Sequence, residues 1–210
     1  MNTPLLGPGE IFTLLFVTLG PLKVLGPFMQ RTHDMSEPAL HQVAIRGFVI
    51  ATIAIVAGGF LGTFLMANWH VSFPALTLTA GIIFFLVALR QLMEQYLTQP
   101  LAAAQSGPLP PAPLAAASRL VFPIILPPYG IAAVMALLAK SDSTERTLTI
   151  VGILIGIMIL DLLAMWFTRR ILVGFIPLVL QVVGAVLAVL QVALSVEFML
   201  LGLKSLHVIS

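Results

Sequence analysis

Lys23 and Asp161 are ionisable residues that lie well inside long apolar runs of this sequence. A charge at the centre of a membrane helix costs about 2.5 to 3.5 kcal/mol, so each requires a function or a partner. The Lys23 ammonium could bind a solute carboxylate or form an internal ion pair, or it could extend to the membrane surface. A buried acid such as Asp161 favours its neutral form, which makes it a candidate for proton coupling. Its alternative is a structural ion pair with Lys23 or with an arginine at a helix end.

Prolines interrupt two apolar runs at matching places in the two halves of the chain, near Pro21 and near Pro128. Proline donates no backbone hydrogen bond and clashes with the carbonyl four residues earlier, so both helices must bend or unwind. Inside a membrane, such breaks are tolerated only where the freed backbone faces protein or a cavity. Paired breaks are typical of transporter binding sites. The predicted substrate-binding residues are Gly20, Pro21, Lys23, Pro127, Pro128, Tyr129 and Gly130.

The composition is that of an integral membrane protein. Of the 210 residues, 60% are hydrophobic and 9% charged, whereas soluble domains carry about 25% charged residues. The net charge of +2 is too small to indicate a nucleic-acid-binding surface, and the absence of cysteine excludes thiolate metal sites. We therefore expect a small-molecule solute and the lipid bilayer as partners, no nucleic acid, no cofactor and no metal. Whether the chain forms a homo-oligomer stays open.

Six apolar runs are long enough to cross a hydrocarbon core of about 30 Å. They cover residues from about 10 to 29, 43 to 66, 72 to 93, 120 to 139, 148 to 167 and 175 to 203. The predicted fold class is an all-α integral membrane protein with six transmembrane helices, of which helices 1 and 4 are broken by proline.

A shift of 107 residues places Pro21 on Pro128 and aligns the order of the spans. Because each half has three helices, the second half enters the membrane from the opposite side, which predicts two inverted three-helix repeats. The repeats are residues 1–97 and 119–210, joined by a Pro/Ala-rich linker at residues 98–118. Arginines are more frequent on the side opposite the termini, so we expect both termini outside the cytoplasm.

Small and polar residues in the spans predict helix packing. Gly58-x-x-x-Gly62 and Gly152-x-x-x-Gly156 allow close helix approach, within one chain or between protomers. Gln91, Gln181 and Gln191 are expected to cross-link helices. The sequence contains no phosphate-binding loop, and its histidines fall in loops or at a terminus, so an enzyme is not expected.

Several segments resemble the MarC family of bacterial inner-membrane proteins, over nearly the whole chain. They run from Phe16 to Leu22, Gly81 to Arg90, Pro123 to Ile131 and Val183 to Leu203. The resemblance implies an inner-membrane protein of the lysine-exporter superfamily that carries small neutral amino acids such as glycine and alanine. The usual Asn-Pro of the first span is here Gly20-Pro21, and the usual Gly-Pro-Gly of the fourth is Pro127-Pro128-Tyr129. The favoured hypothesis is a proton-coupled secondary transporter; the alternative is a non-transporting structural or interaction membrane protein.

Overall fold

The computed structural model describes residues 6–96, 117, 119–171, 174 and 176–206, and every regular element in them is helical. The elements are α1 (Pro8–Leu19), α2 (Pro21–Thr32), α3 (Glu37–Asn68), α4 (Phe73–Tyr96), a π-helical turn (Val121–Ile125), α5 (Pro128–Ala139), α6 (Thr144–Trp166), α7 (Thr168–Ile171) and α8 (Ile176–Ser205). The predicted linker lies outside the described residues, apart from Ala117.

Five segments of the described chain are long and apolar enough to cross a membrane. They are Pro8–Thr32, Glu37–Asn68, Phe73–Arg90, Thr144–Trp166 and Val182–Ser205, and α5 adds a shorter apolar helix. Large apolar side chains on their outer faces are exposed, as with Ile53 at 64% and Leu86 at 60%. Continuous apolar surface of this kind matches a lipid environment. The predicted all-helical membrane protein is confirmed.

The first span is broken where the sequence predicts. Gly20 separates α1 from α2, and Pro21 is the first residue of α2, where its missing N–H costs least. The Gly20 N–H donates to the Phe16 carbonyl at 2.8 Å, and a Cβ at position 20 would overlap that oxygen. A side chain at position 20 would therefore require the backbone of this break to shift. Pro27, in contrast, lies within α2 without ending it.

The second break has a different construction. The π-helical turn closes with a hydrogen bond of 2.8 Å from the Leu126 N–H to the Val121 carbonyl, which is the five-residue spacing of a π-bulge. Leu126 then leaves the helical conformation, Pro127 is extended and α5 begins at Pro128. The predicted interruption is confirmed, while the π-helical turn before it was not predicted.

Small residues let the helices approach closely at two crossings. Gly81 of α4 lies against the backbone of α8, since a Cβ there would be 2.8 Å from the Met199 nitrogen. Gly62 of α3 faces the Met135 side chain of α5, so this glycine pair packs within the chain. Around Gly152 and Gly156 nothing lies within 4 Å. Only the first of the two predicted glycine pairs therefore makes close contacts within the described chain.

Gly81→Ala should destabilise the protein, because the added methyl group meets main-chain atoms that cannot rotate away. Overpacking of this kind costs about 1 to 3 kcal/mol. Gly152→Ala is the matched control: its methyl group enters open space, and replacing a helical glycine stabilises by about 0.5 to 1 kcal/mol. Thermal unfolding in detergent should shift in opposite directions for the two proteins. Equal shifts would contradict the close crossing of α4 and α8.

Candidate functional site

The two helix breaks lie against each other. α1 packs on α5, and a Cβ at Gly130 would overlap the Leu19 side chain at the end of α1. Lys23 Nζ, in the first turn of α2, donates a hydrogen bond of 2.7 Å to Tyr129 Oη, in the first turn of α5. Two helix N-termini, 106 residues apart in sequence, thus meet at one place. Pro21 lies near the middle of the Pro8–Thr32 span, so we place this junction at mid-membrane depth.

Neutral groups surround the Lys23 ammonium. Besides Tyr129 Oη, Nζ contacts the Thr18 carbonyl at 3.4 Å and lies 4.6 Å from the centroid of the Tyr129 ring. Tyr129 stacks on Phe84 at 5.0 Å, which holds both rings in place. Among the described residues, no carboxylate lies within 4.0 Å of Lys23 Nζ. Aromatic faces and a hydroxyl group stabilise the Lys23 ammonium only in part. An anionic group of a bound solute would complete its set of contacts.

The carbonyls that the first break releases are taken up by side chains. Pro21 has no N–H, so the Val17 carbonyl, four residues earlier, loses its helical donor. Gln191 Nε2 of α8 donates to this carbonyl at 3.1 Å, and the Gln191 side chain is almost fully buried. The predicted helix cross-link by Gln191 is confirmed. The side chains of Gln91 and Gln181 lie outside the described residues.

A cavity of about 530 Å³ leads toward the junction from one side of the protein. Its walls are apolar side chains of α1, α4, α5 and α8, and its charged lining residues are Glu10, Lys140, Arg146 and Glu197. A second, much smaller space, large enough for about one water, is lined by Thr18, Phe84 and Tyr129. The two cavities share Leu14, Ala133 and Phe198. The two cavities are therefore adjacent, and the smaller one reaches the Tyr129 ring.

Two cations lie close together at the loop end of the larger cavity. Lys140 caps the C-terminus of α5, and both burial and the nearby Arg146 guanidinium lower its pKa. Lys140 Nζ also lies 5.1 Å from the centroid of the Phe73 ring. Arg146 Nε is buried and has no hydrogen-bond partner among the described residues. This arrangement can attract an anionic group. The anion would reduce the repulsion between the two neighbouring cations, and it would accept a hydrogen bond from the Arg146 Nε–H.

Asp161 occupies a separate position on α6. Its side chain is fully buried, and neither carboxylate oxygen has a hydrogen-bond partner within the described part of the chain. Asp161 lies 15 residues after Arg146 on the same helix, or about 22 Å at 1.5 Å per residue. It is therefore near the other end of α6 from Arg146, which lines the larger cavity. In the described residues Asp161 forms no ion pair with Lys23 or with an arginine.

A model of the MarC family of integral membrane proteins matches residues 9–207, which is nearly the whole chain. The chain belongs to the MarC family. This finding confirms the resemblance predicted from the four segments and makes the protein a multi-pass integral membrane protein. The MarC family is not known for catalysis. No curated protein and no solved structure matches the chain.

The residues predicted to bind substrate in this MarC protein form one neighbourhood around the two breaks. Lys23 contacts Tyr129, and Gly130 contacts the residue before Gly20. Pro127 is buried, whereas Pro128 is exposed. Sequence reasoning missed Phe84, which stacks on Tyr129. The 107-residue shift places Phe84 on Gln191, and in the structure each of the two contacts one of the breaks.

Gly130→Ala in this MarC protein should be destabilising because the new methyl group overlaps Leu19. A cost of about 1 to 3 kcal/mol is expected from overpacking. In a Leu19→Ala background the same change should become neutral or stabilising, since the overlapping atoms are gone. Unfolding of the four proteins of this double-mutant cycle, followed in detergent, would measure the coupling. Gly184→Ala, where nothing lies within 4 Å, is the control, and additive effects would argue against contact between the two breaks.

Proposed function

We propose that this MarC protein is a secondary transporter whose substrate site lies between the two broken helices, at Lys23 and Tyr129. The observation that carries the proposal is the Lys23 ammonium, held at mid-span by Tyr129 Oη at 2.7 Å, with no carboxylate partner among the described residues. A solute carboxylate would bind Lys23, assisted by the N-terminal dipoles of α2 and α5. The substrate class is a neutral amino acid or a similar small zwitterion.

Buried positions support a repeated architecture of six crossings in which residues 119–139 form the fourth. A two-fold axis in the membrane plane would bury the same positions in both halves. In the third and sixth spans, residues 107 positions apart are buried together. These pairs are Gly81 with Ala188, Phe84 with Gln191, and Ala88 with Ser195. The second and fifth spans give Val43 with Ile150, Gly47 with Leu154, and Ala51 with Met158.

Alternating access follows from this arrangement, with one three-helix half moving against the other around the junction. The larger cavity provides access from the side where α1 begins and α5 ends. Asp161, near the other side, is the proposed proton-coupling residue because its carboxyl group can exist there neutral or charged. On the arginine distribution, the cavity side is outside the cytoplasm and the membrane is the bacterial inner membrane.

Solute uptake into proteoliposomes tests the proposal. Purified protein would be reconstituted with an inward proton gradient, and labelled amino acids of increasing side-chain size would be offered. Saturable uptake that exceeds that of protein-free liposomes and collapses with a protonophore is the expected result. A folded protein that moves none of these solutes, by accumulation or by exchange, would favour the non-transporting structural role.

A further inference from the structure

The larger cavity is much bigger than the smallest amino acids require. Its volume is about 530 Å³, within the range of about 300 to 1,000 Å³ that holds drug-sized ligands. A water molecule accounts for about 30 Å³ of liquid, so the empty cavity has room for many waters. Glycine has no side chain and would displace few of them, which would leave water in contact with the apolar walls. The cavity therefore fits a ligand that brings apolar surface of its own.

The cavity is lined by both apolar and charged side chains. Leu14, Leu137 and Phe198 are among the apolar side chains that line its interior, whereas Arg146 and Glu197 supply charges of opposite sign. Arg146 Nε is buried and unpartnered, and no ion pair joins Arg146 to Glu197 among the described residues. A zwitterion could satisfy both charges, with its carboxylate on Arg146 and its ammonium on Glu197.

Glu10 is the other acid in the cavity lining, and one of its carboxylate oxygens already accepts a backbone hydrogen bond. Glu10 Oε2 accepts a hydrogen bond of 2.8 Å from the Gly7 N–H, which caps the start of α1. Glu197 has no such bond among the described residues. Of the two acids in the lining, Glu197 is the one whose carboxylate makes no hydrogen bond within the described residues, so a ligand ammonium meets no competing donor there.

We infer that this cavity is an entry site for amino acids with large apolar side chains, such as leucine or phenylalanine. The head group binds between Arg146 and Glu197, and the side chain packs against the apolar walls toward Tyr129. This inference rests on the proposed transport function and narrows its substrate class. It differs from the class of small neutral amino acids that the family resemblance implies.

Ala136→Phe provides the size test. Ala136 lines the cavity and is 7% exposed, so a benzyl group there would occupy space that the ligand side chain needs. Binding of labelled phenylalanine to protein in nanodiscs should weaken at least tenfold, while glycine competition is unchanged. Ala193→Phe is the matched control because Ala193 is exposed on α8 and lies outside the cavity lining. Ala136→Leu, a smaller change, serves if Ala136→Phe does not fold.

Arg146→Gln and Glu197→Gln test the head-group contacts. Each should weaken phenylalanine binding by about tenfold, and 3-phenylpropionate, which lacks the amine, should compete poorly with phenylalanine. Equal competition by 3-phenylpropionate, with no effect of Glu197→Gln, would overturn the zwitterion assignment.

Proteoliposome uptake by the same protein tests the transport function and the entry site for large apolar amino acids separately. Uptake of glycine without any binding or uptake of phenylalanine would overturn this inference and leave the transport function intact. Absence of binding and uptake for every amino acid would overturn both. Phenylalanine uptake that Ala136→Phe abolishes and Ala193→Phe preserves would support the entry site.

Discussion

Lys23→Met should reduce transport by about 10- to 100-fold while leaving a folded protein. The expected loss corresponds to one hydrogen bond to a charged group, about 1.5 to 3 kcal/mol. Methionine retains the length of the lysine side chain and removes an intramembrane cation, so stability should change little or increase. The readouts are initial uptake rate in proteoliposomes and thermal unfolding in detergent. Together they separate a substrate-binding lysine, which affects uptake alone, from a structural one.

Two variants serve as controls for Lys23. Tyr129→Phe keeps the ring that stacks on Phe84 and lies beside Nζ, but it removes the hydroxyl group 2.7 Å from the ammonium. Its loss should be smaller, about two- to tenfold, as for one neutral hydrogen bond. Lys204→Met removes an exposed lysine at the end of α8 and should have no effect. Full uptake by Lys23→Met would refute the proposed binding site.

Asp161→Asn should abolish accumulation of solute against its gradient while exchange across the membrane continues. The amide has the shape of the protonated carboxyl group but cannot release a proton, so the carrier would remain in its protonated-like form. Burial of Asp161 without a described partner motivates this expectation. Stability should change little, because the substitution keeps volume and removes no observed hydrogen bond.

The measurement compares proton-driven accumulation with counterflow in the same proteoliposomes. Asp142→Asn, in the exposed loop between α5 and α6, is the matched control and should behave as the unmodified protein. Wild-type accumulation by Asp161→Asn would exclude proton coupling through this residue. Parallel loss of exchange and of thermal stability would instead assign Asp161 to the structure of the core.

The sequence by itself determined the membrane class, the positions of the long helices and the two proline breaks. These properties depend on local interactions: apolar length sets a span, and a proline removes one hydrogen bond within its own helix. The placement of Lys23 just after the first break is likewise local, since it lies two residues from Pro21. The four segments also carried the family resemblance that the match over residues 9–207 confirms.

The partners of these residues were decided only by tertiary structure. Lys23 meets Tyr129 across 106 residues, and Gln191 reaches the Val17 carbonyl across 174. Such contacts depend on how each helix is rotated about its axis, which uniformly apolar spans do not encode in their hydrophobic pattern. The cavity is likewise formed by residues of five helices together. Asp161 has no described partner because the surfaces of α2 and α3 that pack on α6 place no donor beside its carboxylate.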